Sequence, residues 1–293
     1  MNPLVESLIW IVVGLVALAQ YHYELFKLGV KVYYFPFGYR IALSQIGIIL
    51  SLGIITVLLF RRFLGTLRER EQLRLEFEHA RQVQSLLVPE NQPDTPGFSV
   101  NAVYHPASQV GGDFFQIRPY DDGSLLLAVG DVSGKGLQAA LTVSTIMGAL
   151  RNETSHEPAQ ILTRLNHVLF GQISGFVTCC AVVIAPDGRM HAANAGHLAP
   201  YVGGNELKLD NGIPLGLQAD ATYGTSSFQL ENGSQLTLLT DGVVEARNRN
   251  GELFGFERTS AISTQLPSAI AQAAQAFGQD DDITVLTLRL ASV

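Results

Sequence analysis

Twenty consecutive residues, Ile41 to Phe60, carry no charge. As a helix they would reach about 30 Å, the thickness of a bilayer's hydrocarbon layer, so the segment predicts a transmembrane helix. Arg61 and Arg62 follow directly, with Arg68, Arg70 and Arg74 soon after. That density of positive charge assigns this side of the bilayer to the cytoplasm. An earlier apolar stretch, Ser7 to Tyr21, is short enough to be a first span or the core of a signal peptide. Ala17-Leu18-Ala19 resembles a cleavage site, but the opening MNPLVES lacks the positive residues of a signal peptide, which favours a retained span. Tyr21, Tyr23, Phe26, Tyr33, Tyr34, Phe35, Phe37 and Tyr39 crowd the interval, as suits a membrane–water boundary. Residues 1–60 are therefore expected to form a membrane segment of two transmembrane helices, residues 4–21 and 41–60. Such a hairpin would hold the chain in the inner (cytoplasmic) membrane with all that follows in the cytoplasm. The mean hydropathy of +0.22, high for a wholly soluble chain, agrees.

Residues 61–88 contain no proline, one glycine and interspersed acidic and basic side chains, the pattern of an exposed helix continuing from the membrane. Leu73, Phe77, Ala80 and Leu87 share an a/d-like seam interrupted by Gln84. So short a seam suits a linker helix packed on its own domain and a dimerising helix equally, and a homodimer through residues 61–88 is one expectation. The charge balance then reverses. Residues 1–88 carry nine Lys/Arg against six Asp/Glu, and the remainder ten against twenty, with no basic cluster. A region at net charge −10 repels a phosphate backbone, so no nucleic-acid partner is expected. The only cysteines, Cys179 and Cys180, are adjacent in a strand-like run and point to opposite faces, which offers no disulfide framework.

Residues 89–293 are about the size of one domain. Glycine and proline punctuate short apolar runs there, giving strand candidates at Ser99–Tyr104, Leu125–Gly130, Phe176–Ile184, Met190–Asn194, Leu236–Thr240 and Ile283–Leu290. Pro186-Asp187-Gly188 and Glu231-Asn232-Gly233 sit between strand runs at hairpin spacing, which predicts antiparallel pairing. Helices are expected at Leu137–Leu150, Pro158–Gln172 and Pro267–Phe277. Hairpins with a few helices suggest an α+β layered sandwich.

Within this domain an apolar strand, or a glycine-rich turn beside one, repeatedly delivers an aspartate at its end. These are Asp113 in GGDFF, Asp131 ending LLLAVGD, Asp241 ending LTLLTD, and Asp280-Asp281-Asp282 before ITVLTLRL. A carboxylate beside apolar surface costs several kcal/mol without a partner, so converging aspartates demand a cation. With no His/Cys pair at zinc spacing, all-oxygen ligation favours Mg²⁺ or Mn²⁺. Any one of these aspartates alone reads more readily as a turn or cap residue, and it is their recurrence that points to a shared site.

Taken together, ARQVQSLLVP, VGGDFF, VGDVSGKGLQAAL, LNHVL, NAGHLAP, GIPLGL, LLTDGVVEARN and DDDITVLTL, in that order over residues 78–291, resemble the SpoIIE-like branch of the PPM, or type-2C, metal-dependent protein serine/threonine phosphatases. The resemblance implies two antiparallel sheets flanked by helices around a pair of Mn²⁺ or Mg²⁺ ions. It implies that Asp113, Asp131 and the Val132 carbonyl hold one ion, and Asp131, Asp241 and Asp281 the other, with Asp282 the alternative within the triplet. Val132 stands where other branches have glycine, at small cost if its main-chain oxygen is the ligand. The resemblance also implies hydrolysis of a phosphoserine or phosphothreonine monoester, with a phosphorylated STAS-type anti-sigma-factor antagonist as the usual partner. The alternative is a catalytically silent scaffold of the same fold that only binds a partner protein.

No arginine is identifiable as a phosphate ligand. Lys135 is either a phosphate contact or a solvated turn residue, and His197 in NAGHLAP either a general acid or part of a turn. Two nucleotide-binding readings fail on detail. Gly130 and Gly134 are too close for a Walker loop and Lys135 is followed by Gly136. GGDFF has Phe114 where a diguanylate cyclase signature is acidic.

Overall fold

The computed structural model describes residues 95–107 and 111–291, residues 51–68, and isolated positions from 10 to 42 and at 71. The chain divides into two units, Met1–Leu73 and Arg74–Val293. In the first, residues 51–68 are helical, with Leu52, Ile54, Val57, Leu58, Phe60 and Phe63 exposed. Tyr33–Tyr34 pairs antiparallel with Ile41–Ala42, so the uncharged stretch is not helical from its first residue. Among the described residues no helix is long and apolar enough to cross a membrane. The expected spans, and the linker seam at Leu73, Phe77, Ala80 and Leu87, lie mostly outside the described residues.

The second unit holds two five-stranded antiparallel sheets. Its elements are β1 (Phe98–His105), β2 (Asp113–Pro119), β3 (Leu125–Val132), α1 (Leu137–Arg151), α2 (Pro158–Leu169), β4 (Val177–Ile184) and β5 (Arg189–Ala195). There follow β6 (Tyr201–Val202), β7 (Asn205–Glu206), β8 (Ser226–Gln229), β9 (Gln235–Leu239), α3 (Asp241–Val244), α4 (Gly255–Ile262), α5 (Pro267–Gly278) and β10 (Ile283–Leu290). One sheet runs β8-β5-β4-β3-β2 and the other β1-β10-β9-β6-β7.

Strand sequences explain the layering. β3 reads as an unbroken apolar run because both of its faces are covered. Leu126, Ala128 and Val132 pack with Val143, Ile146 and Met147 of α1 and Ile161 and Leu165 of α2. Leu125, Leu127 and Val129 face the other sheet, meeting Leu236 and Leu238 of β9 and Leu286 and Leu288 of β10. The outer face of that second sheet is closed by Val243 and Val244 of α3 and Ile270, Ala271 and Ala274 of α5. Cys179 and Cys180 divide between two of these cores, buried and unbridged. The expected two-sheet sandwich with flanking helices is thus observed.

Three details differ from expectation. The segment Asp113–Pro119, not anticipated as a strand, forms the edge strand β2. Pro186-Asp187-Gly188 closes the β4–β5 hairpin, but Glu231-Asn232-Gly233 carries the chain from β8 in one sheet to β9 in the other, so it closes no hairpin. The helix beginning at Pro158 stops at Leu169 because Phe170 turns extended, with ψ 126°.

Candidate functional site

The aspartates gather where the two sheets end together. Asp113 starts β2 directly opposite Asp131 near the end of β3, and directly opposed residues share a face. That face is the one toward the second sheet, since Asp131 continues the row of Leu125, Leu127 and Val129. By the same alternation Thr240 continues Leu236 and Leu238, and Thr284 precedes Leu286 and Leu288 on the inward row. The two threonines reach across. Thr240 Oγ1 and Thr284 Oγ1 each donate to Asp113 Oδ2 at 2.6 Å, and Asp113 is only 2% exposed. Thr240 Oγ1 also accepts from the Thr284 amide at 3.0 Å, so although Thr240 is the N-cap of α3 its hydroxyl makes no cap bond.

Asp241 opens α3 immediately after Thr240. Its neighbour Gly242 lies so close to the chain at 281–282 that a Cβ there would meet the Asp282 carbonyl oxygen at 1.9 Å. Asp282 is a fastening. Its Oδ1 accepts from the Ala107 amide at 2.8 Å and its Oδ2 from the Gly112 amide at 2.7 Å, tying the start of β2 to the start of β10. Asp281, by contrast, meets the Lys135 ammonium at 3.1 Å.

Between these groups is a pocket of about 70 Å³ walled by Gly112, Asp131, Val132, Lys135, Asp281 and Asp282. Gly112 keeps it open: a Cβ there would stand 2.8 Å from both Asp131 Oδ1 and the Val132 carbonyl oxygen. Beyond Val132 the chain reverses at Gly134 and Gly136, whose φ of 98° and 86° suit glycine, before entering α1. Asp113 and Asp241 do not line the pocket themselves.

The electrostatics are one-sided. Burial pushes the Asp131 carboxyl up to about 7, and the charges of Asp241, Asp281 and Asp282 add to the shift. Asp241 is raised by burial and then by Glu245 and Asp281. Burial holds Asp113 well above the usual carboxylate range in spite of the two threonine hydrogen bonds. The one cation lining the pocket is Lys135, whose side chain is 63% exposed. Among the described residues no three such side chains form a ready cage for an ion, consistent with the hydrogen bonds that engage Asp113, Asp281 and Asp282. The residues nevertheless fit a hard cation: oxygen donors only, an excess of negative charge, and an open space faced by Asp131 Oδ1 and the Val132 carbonyl oxygen.

Residues 121–291 match the model of the family described as Stage II sporulation protein E (SpoIIE). The chain belongs to the SpoIIE family. It is a protein serine/threonine phosphatase of the PP2C type. Among curated proteins, the phosphoserine phosphatase RsbU of Bacillus subtilis (strain 168) is 29% identical over 243 residues, covering 75% of this chain and 71% of that protein. Among solved structures, the SiaA-PP2C domain of Pseudomonas aeruginosa aligns with a TM-score of 0.64 at 22% identity, over 76% of this chain and 99% of that one. RsbX in complex with magnesium aligns at 0.55 and 17% identity, over 68% and 98% respectively. At these identities the structural likenesses speak for the fold.

Two further SpoIIE-family positions resolve in the structure. His197 is buried, its Nδ1 2.9 Å from Thr178 Oγ1, and burial lowers its pKa to about 4 against a smaller opposing pull from the Leu239 backbone. Asn194 clamps the turn by bonding both the His197 amide and carbonyl at 2.8 Å, so the histidine is a neutral turn residue. Thr240, Thr284 and Gly112 escaped the sequence reading. Their signal was present, in the threonine directly before Asp241 in LLTD, the threonine two residues after Asp282 in DDIT, and the glycine before Asp113.

Proposed function

We propose that this phosphatase hydrolyses phosphoserine or phosphothreonine on a partner protein at a centre of two hard divalent ions, Mn²⁺ or Mg²⁺. Asp113, Asp131 and the Val132 carbonyl would hold one ion, and Asp131, Asp241 and Asp281 the other. The observation that carries the reading is the Gly112 cradle, where Asp131 Oδ1 and the Val132 oxygen face one space with no side chain in it. Such a pair of ions, when bound, lowers the pKa of a water and offsets the charge of a phosphate.

The protein's own part is orientation and charge. Thr240 and Thr284 engage Asp113 Oδ2 and so orient Oδ1. Asp282 fixes the Gly112 turn with both of its oxygens, which favours Asp281, held at Oδ1 by Lys135 and the Asp282 amide, as the ion-holding carboxylate of the triplet. Lys135 neutralises Asp281 and stands at the rim, where an incoming phosphate meets its positive charge. His197, buried with its pKa lowered to about 4, is neutral near pH 7 and is not set up to donate a proton to the leaving group.

RsbU is named a phosphoserine phosphatase, which supports phosphoserine, and the family resemblance supports a STAS-type anti-sigma-factor antagonist as the substrate. The uncharged stretch 41–60 and the exposed apolar side chains at 52–63 support a tether to the cytoplasmic membrane with the catalytic domain in the cytoplasm, and residues 61–88 support a homodimer. The purified full chain in detergent should turn over p-nitrophenyl phosphate with Mn²⁺, and lose that rate in EDTA or as Asp131→Asn. A wild-type chain that binds Mn²⁺ without turnover would leave only the scaffold alternative. Comparing the phosphoproteins of cells carrying the wild-type chain and Asp131→Ala would name the substrate.

A further inference from the structure

A second groove, of about 100 Å³, adjoins the carboxylate pocket and shares Val132, Gly134 and Lys135 with it. Its other walls are Ala139 and Thr142 of α1 and Ile173, Ser174 and Phe176 of the loop before β4. The groove is built. The Ser133 amide donates to the Phe176 carbonyl at 2.9 Å, and the Phe176 amide to Ser133 Oγ at 2.8 Å, fixing the loop to the residue after Val132. Gln138 Nε2 bonds Ser174 Oγ across the far side. Ile173 packs on the core and against Gly216, yet Phe176 keeps 39% of its surface exposed.

We propose that this groove seats a short aliphatic side chain of the substrate protein, within about two residues of the phosphorylated serine or threonine. The inference rests on the phosphatase reading above. A phosphate in the carboxylate pocket brings its own chain past the shared wall of Val132, Gly134 and Lys135. At about 3.3 Å per extended residue, the neighbouring side chains arrive at the groove. Its lining selects among them. Ile173, Phe176 and Ala139 supply apolar surface, the hydroxyls and amide of Ser133, Ser174, Thr142 and Gln138 are uncharged, and the one charge, Lys135, sits on the wall shared with the carboxylate pocket. With the Lys135 ammonium drawn to Asp281 or to the phosphate itself, no second cation lines the groove, so an aliphatic group gains by leaving water against Ile173 and Phe176, whereas a carboxylate would lose hydration.

The test uses the full chain in detergent with Mn²⁺ and two short phosphoserine peptides that differ only in carrying valine or aspartate on both sides of the phosphoserine. The wild-type chain should favour the valine peptide by roughly tenfold in kcat/KM, the scale on which small apolar contacts discriminate. Ser174→Trp, which fills the groove from an exposed position, should bring that ratio to about one. Ser174→Ala, which removes the bond to Gln138 without filling the groove, should preserve it. Equal kcat/KM for the two peptides with the wild-type chain, or an unchanged preference in Ser174→Trp at an unchanged melting temperature, would overturn the docking assignment. Failure of the wild-type chain to turn over p-nitrophenyl phosphate would instead strike the phosphatase reading, and the docking site with it.

Discussion

The Gly112→Ala substitution tests the cradle with one methyl group. The Gly112 backbone lies outside the left-handed region, so alanine can adopt it without strain, and any effect comes from the Cβ itself. That atom would stand 2.8 Å from Asp131 Oδ1 and 2.8 Å from the Val132 carbonyl oxygen, where ordinary contact begins at 3.4 Å. Two oxygens must therefore each retreat by at least 0.6 Å (3.4 − 2.8), and the Val132 oxygen is main chain. A displacement approaching 1 Å at a catalytic group costs about 100-fold in rate. The fold should tolerate it: overpacking costs about 1–3 kcal/mol, and the loss of glycine's freedom in the unfolded chain returns about 0.4–1 kcal/mol. For a domain of this size that is a fall of only a few degrees in Tm. Mn²⁺ titration calorimetry of the full chain should show affinity weakened by about 100-fold, with p-nitrophenyl phosphate turnover at saturating Mn²⁺ down to a similar degree. An alanine variant with wild-type Mn²⁺ affinity and turnover would refute the placement of the ion-holding oxygens.

Other perturbations follow the same geometry. Thr240→Val and Thr284→Val each strip a hydroxyl from buried Asp113 and should cost about 1–3 kcal/mol in urea unfolding; because both donors share Oδ2, the double variant should cost less than the sum. His197→Gln should keep the shape of the wild-type pH–rate profile between pH 6 and 9, since the imidazole, with its pKa near 4, is neutral throughout; loss of one limb of the profile would restore it as a proton donor. In EDTA, Asp131 binds a proton more tightly folded than unfolded, its carboxyl standing at about 7 against 3.8, so its contribution to stability is fullest below pH 4 and is lost as pH rises to about 7. Melting curves in EDTA should show that decline, by a few kcal/mol at most, and saturating Mn²⁺ should abolish it; a Tm in EDTA that rises over this interval would contradict the clustering of charge around Asp131.

How far the site could be read from the chain turns on the two-residue period of strands. The runs ending at Asp131 and beginning after Asp282 were legible because an apolar stretch covered on both faces is unmistakable, and a charge at its end is costly enough to need a reason. The strand Asp113–Pro119 was not, since DFFQIRP mixes Gln116 and Arg118 into a short edge and ends in proline. Nor was the role of Glu231-Asn232-Gly233, because the same turn residues serve a hairpin and a crossing between sheets, and only the partners of β8 and β9 distinguish the two. The same limit governs the chemistry. Within Asp280-Asp281-Asp282 composition cannot choose the ion-holding carboxylate, but amides from a segment 170 or more residues away occupy both oxygens of Asp282. Thr240 and Thr284 look like ordinary strand residues until register brings both to Asp113. A shift of one residue in either strand would turn those hydroxyls to the helical layer and leave a buried carboxylate bare. The pairing of the two sheets thus belongs to the catalytic apparatus as much as the aspartates do, and the threonine variants separate that contribution from ion binding.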